Sequence, residues 1–551
     1  MATSIGNKLK NVLGSEKPKK VYVPSGESRK TDGEDQITEV PKIAEENVKE
    51  VEVNEVDAPY TYVRIKYDNT SNEYIYEVIE PDLTEEEEEV LKAVKDRLID
   101  RVELLHLDSK EEKREYLEHK TKDILRDLDI KLRKTSRRRI MYYIIRDFLG
   151  FGTIDVIMND LDPEDISCDG VGIPIYVFHR KYGSMKSNVK FDSAEELDNF
   201  VIWLAQRSGK HISVADPMLD ATMPDGSRLQ ETLGTHVTQR GSSFTIRRFE
   251  EEPYTPINLI NFQTFDPEMM AYAWVAIENG QSMLICGGTA SGKTTTLNAL
   301  LLFIPPQQKI VSIEDTRELN LPHDNWVPLL TRSGFGELDE DTGKKAGEID
   351  MYQLLQSALR QRPQYLMVGE VRGEEAYVVF QAMATGKSAY TTFHADDVQT
   401  MVNRMENDPI NLPRALVGAL DVVVLQSKVK VGTKMVRRIK AMTEIVGVDP
   451  DSNELITNKA YSWNPADDSF NYSGHSYVYD KVAQSKSWTQ RDMEREVKRR
   501  KIVLEYLTEE EIFNYEDFAQ VVTAYYRNKE RVLKKAKEKL EESKKEEFSR
   551  R

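Results

Sequence analysis

Gly287-Gly-Thr-Ala-Ser-Gly-Lys-Thr294 is the stretch that decides the fold of this chain. It matches G-x-x-x-x-G-K-[ST] at every position, follows the apolar run Ser282-Met-Leu-Ile-Cys286 and precedes the helix-compatible run Thr295-Thr-Leu-Asn-Ala-Leu-Leu-Leu-Phe303. Strand, glycine loop and helix in that order make a P-loop. The glycines let backbone N–H groups turn inward around phosphate oxygens with no Cβ in the way, and the following helix aims the positive end of its dipole at the same anion. The pattern predicts nucleotide binding by Gly287, Gly288, Thr289, Ala290, Ser291, Gly292, Lys293, Thr294 and Thr295. Lys293 should reach the β- and γ-phosphates, and Thr294 should offer its hydroxyl to Mg²⁺.

Downstream, continuous apolar runs read as strands of a buried parallel sheet: Ile310-Val-Ser-Ile313, Tyr365-Leu-Met-Val368, Ala389 to Phe393 and Val422-Val-Val-Leu425. The fold class is α/β. Polar groups close three of these runs, where active groups of open α/β sheets gather. In Ile313-Glu-Asp-Thr-Arg-Glu318 the carboxylate of Glu314 is the candidate general base for an in-line water, with Asp315 as its neighbour or metal partner. In Arg360-Gln-Arg-Pro-Gln-Tyr-Leu-Met-Val-Gly-Glu-Val-Arg372 the strand ends in Glu370, the Walker B position. Its arm is longer than that of the usual Asp, which suggests Mg²⁺ held through water, so Thr294 and Glu370 are the metal candidates. The third run ends in His394. A lone His is more often structural than catalytic, but a third strand ending at the phosphate edge reverses that weighting and assigns His394 to sensing the γ-phosphate.

A chain of 551 residues is too long for one core, and three or four structural units are expected. With 94 acidic against 76 basic residues the net charge is −18, which argues against a generic nucleic-acid binder. The two cysteines, Cys168 and Cys286, read as buried and reduced in a cytosolic protein. The apolar runs fall far short of a bilayer span, so a membrane role would be peripheral. Residues 1–57 lack the large apolar residues of a core and read as largely disordered, with 1–14 either a frayed basic tail or a short amphipathic helix that could dock on a membrane or a partner. Residues 58–149 open with a hairpin pattern and continue as a mostly helical subdomain, its basic cluster Lys131 to Arg139 reading as a solvated face. Short strands and one helix make 150–249 a compact α+β domain; 250–256 is a stiff linker, 257–480 the nucleotide domain and 481–551 a charged helical region.

Four segments together carry a specific resemblance. GGTASGKTTT, SIEDTREL, RPQYLMVGEVRGEEA and ATGKSAYTTFHADD resemble the Walker A, Asp box, Walker B and His box of the type II/IV secretion-superfamily traffic ATPases, a likeness that spans about 150 to 480. Cys168-Asp-Gly-Val-Gly-Ile-Pro-Ile-Tyr-Val-Phe-His-Arg-Lys-Tyr-Gly183 is similar to archaeal members, and the whole chain most resembles the archaellum (archaeal flagellum) motor ATPases. The resemblance implies a RecA-like P-loop NTPase domain behind a helical segment and a small PAS-like α+β domain, hydrolysing ATP with Mg²⁺. It also implies a cytoplasmic homohexamer, peripheral at the inner face of the cytoplasmic membrane, that works with a polytopic membrane platform protein and accessory archaellum proteins; the net acidity adds that no nucleic-acid partner is expected. ATP·Mg²⁺ would sit between the two domains, which close about the linker.

Arginines of the domain before the linker complete the site in that family. Arg228 in Pro224-Asp-Gly-Ser-Arg228, and Arg247 with Arg248 in Phe244-Thr-Ile-Arg-Arg-Phe249, match them, and an always-charged guanidinium grips phosphate in bidentate fashion. Arg360 and Arg362 are further candidates. Two features depart from relatives: two cysteines cannot supply the zinc insertion of bacterial extension ATPases, and Gln364 stands where many members have Asp. Pilus-assembly and secretion ATPases share all four boxes; a DNA-pumping relative and a weakly hydrolysing scaffold are the remaining alternatives.

Overall fold

The computed structural model describes residues 37–43, 45–99, 109–249, 252–332, 334–338, 345–432 and 434–550. The amphipathic stretch 1–14 lies outside the described residues. Two compact units divide at Phe249/Glu250.

The N-terminal unit is built on a nine-stranded sheet in the order β1-β2-β3-β6-β5-β4-β9-β8-β7. Its strands are β1 (Val48–Asp57), β2 (Thr61–Asp68), β3 (Glu73–Ile79), β4 (Pro163–Cys168), β5 (Pro174–His179), β6 (Gly183–Lys190), β7 (Met218–Thr222), β8 (Arg228–Thr232) and β9 (Ser243–Arg247). This corrects the expected organisation twice. First, β1 lies wholly inside the stretch expected to be disordered. Its alternating valines are broken by bulges against β2 and interleaved with acids, which suits an edge strand but hides it from a composition argument. Second, the hairpin of 58–149 is not separate from the α+β domain: β3 pairs in parallel with β6, Ile75 opposite Lys186, so both share one sheet. The helices Glu85–Ile99, Lys110–Asp127 and Lys134–Phe148 keep a small core of their own around Leu91, Val94, Leu117, Ile124, Ile140 and Ile144.

The second unit holds another nine-stranded sheet, ordered β12-β11-β15-β16-β10-β17-β18-β19-β20. Its strands are β10 (Met283–Cys286), β11 (Ile310–Glu314), β12 (Trp326–Leu330), β15 (Tyr365–Glu370), β16 (Ser388–Phe393), β17 (Val422–Val431), β18 (Lys434–Val448), β19 (Leu455–Asn464) and β20 (Ser469–Tyr472); β13 (Phe335–Leu338) and β14 (Lys345–Ala346) form a separate small ribbon. From β12 to β17 every pairing is parallel, and from β17 to β20 every pairing is antiparallel. Alternate residues of the parallel strands enter two cores, Met283 and Ile285 on one face, Leu284 and Cys286 on the other. Burial on both faces is why those strands read as unbroken apolar runs. The antiparallel extension was not expected, because β18 and β19 mix charged and apolar residues.

The stretch read as a linker is folded at its end: Thr255 caps the Pro256–Asn261 helix, with Pro256 at its first turn. The next helix, Pro267–Glu278, is apolar almost all round and buried, as a core helix must be. The charged C-terminal helices are integral to this unit rather than appended to it. Trp274 stacks on Phe303 at 4.9 Å and donates to Tyr526 Oη at 2.8 Å, while Tyr526 donates to the Phe303 carbonyl at 2.6 Å. Arg500, buried, bridges Glu278 and Glu496.

Candidate active site

Strand β10 delivers the chain to Gly287, where a Cβ would stand 2.2 Å from the Gln426 carbonyl oxygen, so no other residue fits. Gly292, at φ 92°, turns the loop into the Lys293–Leu301 helix, and Ala290 takes a left-handed φ of 57°. A non-glycine residue held there stores about 1 kcal/mol or more. Ser291 Oγ and Lys293 Nζ both donate to the Gly288 carbonyl, at 2.9 and 3.0 Å. Lys293 is only 8% exposed; burial pulls its pKa down, and the Glu370 carboxylate opposes that. Gly288, Thr294 and Thr295 are half-buried, and Thr289 is exposed at the crown.

Three further strand ends meet this loop along the same edge. Glu314, the last residue of β11, is 2% exposed. Its Oε1 accepts the backbone N–H groups of Glu318 and Leu319 at 3.0 and 2.9 Å. Its Oε2 has no hydrogen-bond partner among the described residues. Burial outweighs those two bonds and pushes its pKa up to about 7, where a carboxylate can both take and release a proton near neutrality. A Cβ on Gly369 would come within 3.3 Å of Glu314 Cγ, so β15 carries a glycine beside the acid.

Glu370 ends β15 with Oε2 hydrogen-bonded and Oε1 without a hydrogen-bond partner among the described residues. Arg372 Nε donates to Oε2 at 3.0 Å, and His394 Nε2 lies 3.1 Å from Oε1. Burial first, then the Lys293 ammonium, lowers the His394 pKa and favours the neutral imidazole. Lys293, Glu370 and His394 therefore form one electrostatic cluster, with Glu314 on the neighbouring strand. Arg372 belongs to the cluster although the sequence reading gave it no role; its place two residues past the Walker B acid was the available signal. Asp315 is exposed and accepts from Thr331 Oγ1 at 3.2 Å, turned toward β12.

Arg360 and Arg362 precede the start of β15, the opposite end of the sheet from the P-loop, and the structure does not bring them to this cluster. Gln364 is there too, its Oε1 accepting the Lys309 N–H at 2.9 Å, a backbone role remote from chemistry. Arg228 and Arg247 lie directly opposite each other on β8 and β9 of the N-terminal unit. Among the described residues Arg228 has only a 3.8 Å ion pair with Asp220, and Arg247 is exposed. Arg248 is different: it donates to the carbonyls of Asp160 and Pro163, and burial lowers its pKa. That guanidinium already serves its own unit's backbone.

The residues fit Mg²⁺. The donors are a hydroxyl, Thr294, and a carboxylate, Glu370, an oxygen-only set suited to a hard cation, beside a loop whose Gly287 leaves no space for a side chain.

A family model described as type II/IV secretion system protein matches residues 176–546. The chain belongs to this family. A second model, PilB3-like N-terminal, matches residues 14–82 of this secretion-system protein. It is 38% identical over 404 residues to the uncharacterized protein MJ0900 of Methanocaldococcus jannaschii, covering 73% of this chain and 72% of that one. It is 42% identical over 270 residues to the uncharacterized protein MJ1287 of the same organism, covering 49% of this chain and 97% of that one. The solved structure of the ATPase DotB of Yersinia pseudotuberculosis is similar at 14% identity and a TM-score of 0.37, covering 66% of this chain and 90% of that one. Among the described residues no helix is long and apolar enough to cross a membrane.

Proposed function

We propose that this secretion-system protein hydrolyses ATP to ADP and phosphate and works as the homohexameric motor that assembles and rotates an archaellum through a polytopic membrane platform protein. The observation that supports the enzyme reading is the convergence of Lys293, Glu314, Glu370 and His394 at the carboxyl edge of one parallel sheet. Lys293 neutralises charge on the terminal phosphates. Glu314 Oε2 takes a proton from the water whose oxygen attacks the γ-phosphorus; the bond to the ADP oxygen breaks and phosphate leaves. Mg²⁺, held by Thr294 and through water by Glu370, would supply Lewis-acid stabilisation of the phosphoryl charge. His394, beside Glu370, reports the loss of the terminal phosphate, and that differential contact is what a motor needs to switch states. Arg228 and Arg247 are proposed to add charge on the transferred group, with Arg248 holding the strand end that carries Arg247.

A second reading, assembly of a type IV-like pilus or secretion of protein, is favoured by the PilB3-like match over residues 14–82. Phosphate release by the purified protein tests the enzyme. Deletion in the source organism separates the readings: loss of swimming with pili intact supports the archaellum, and loss of surface pili with swimming intact supports the other.

A further inference from the structure

We propose that Arg437 is a nucleotide-binding residue that grips the phosphate chain on its nucleoside side, at the α-phosphate, from a strand outside all four nucleotide motifs. The proposal rests on the ATP-binding reading above and adds a ligand contact to it.

Topology brings Arg437 there. Strand β17 pairs in parallel with β10 only over Val422–Leu425. It then continues beyond the end of β10 as a ribbon with β18, Lys428 opposite Arg437 and Val431 opposite Lys434. Because β17 and β10 run the same way, this ribbon rises at the edge where the P-loop lies. Gln426, at its base, is 2% exposed. Its carbonyl blocks any Cβ on Gly287, and its amide nitrogen stands 3.1 Å from a Cβ placed on Gly292. Gln426 Oε1 has no hydrogen-bond partner among the described residues.

Arg437 then leans over the loop. Its Cδ is 3.1 Å from a Cβ placed on Gly292, and its Nε donates to the Ala290 carbonyl at 3.3 Å. Among the described residues no other hydrogen bond or ion pair engages this exposed guanidinium, so its two terminal amino groups remain available. An arginine stays charged at any working pH and presents those groups as a planar fork suited to phosphate.

Which phosphate it meets follows from strand order. In the sheet β10 has β16 on one side and β17 on the other. Glu314, Glu370 and His394 all come from the β16 side, which is where the terminal phosphate must react. A triphosphate laid across the P-loop therefore turns its α-phosphate toward β17 and β18. The Arg437 contact is thus common to ADP and ATP, and it acts on binding rather than on the chemical step.

The test measures affinity of the full chain for Mg·ADP and Mg·ATP by calorimetry, together with steady-state kinetics, in wild type, Arg437→Ala, Arg437→Lys and Lys430→Ala. Loss of one charge-assisted hydrogen bond predicts that Arg437→Ala weakens both nucleotides by the same factor, about 10-fold or more. KM rises in step while kcat stays within about 3-fold. Arg437→Lys recovers part of the loss, and Lys430→Ala, an exposed cation on the same ribbon, stays within about 2-fold of wild type. Unchanged affinity in Arg437→Ala overturns the proposal. So does an effect confined to ATP, or an equal loss in Lys430→Ala, which would make the effect a diffuse field. Wild type that retains no nucleotide, or Lys293→Ala that binds as well as wild type, would instead defeat the ATPase reading itself.

Discussion

Replacing Glu314 with Gln separates the two consequences of burying a carboxylate. Burial lifts its pKa from 4.5 to about 7, and at about 1.4 kcal/mol per tenfold in proton affinity that rise is about 3 kcal/mol. The sign follows from proton uptake. Below pH 4.5 folded and unfolded chains are both protonated there, and the group adds no pH dependence. Between 4.5 and about 7 the unfolded chain has released the proton and the folded chain keeps it, so stability falls as pH rises. Above that range the burial penalty is constant. Glu314→Gln keeps the shape and removes the charge, so it should unfold at a higher temperature than wild type at pH 8, with the difference shrinking toward pH 5. Turnover should move the opposite way. The variant should bind ATP normally yet hydrolyse it about 10²–10⁴-fold more slowly, and wild-type kcat should climb through pH 7 as the base deprotonates. The assays are phosphate release and thermal unfolding across pH 5–8.5. Near-normal turnover in the variant, or equal melting temperatures at both ends of the range, would refute the reasoning.

Glu370→Gln and His394→Ala should each lower kcat by at least about 10-fold while leaving ADP affinity little changed, since both sit toward the terminal phosphate; matched ADP and ATP affinities with reduced phosphate release are the expected readings. Arg500→Met should lower the unfolding midpoint by an amount equivalent to about 3 kcal/mol, because Glu278 and Glu496 would then share a buried site without their main cation. Glu231, on β8, is fully buried with neither oxygen hydrogen-bonded among the described residues, and burial pushes its pKa up to about 8. Stability should therefore fall as pH rises from 4.5 through about 8, and Glu231→Gln should flatten that decline in thermal unfolding.

Sequence alone determined the elements whose signal is local. The P-loop is contiguous, and residues 310–313, 365–368, 389–393 and 422–425 are buried on both faces, so each reads as an apolar run, and the first three end in a polar group. That is why Lys293, Glu314, Glu370 and His394 stand out as candidates in the sequence. Tertiary structure decided whatever depends on distant neighbours. Strand β1 is legible only once β2 lies beside it, and the merging of two expected N-terminal domains comes from the parallel pairing of β3 with β6 and the core both stretches share. The raised pKa of Glu314 comes from burial that its own residues do not encode, and the Arg437 contact depends on which strand flanks β10. Apolar periodicity records what a residue buries against the sheet it belongs to. It carries no record of which other segment supplies the carbonyl, the carboxylate or the cation on the far side.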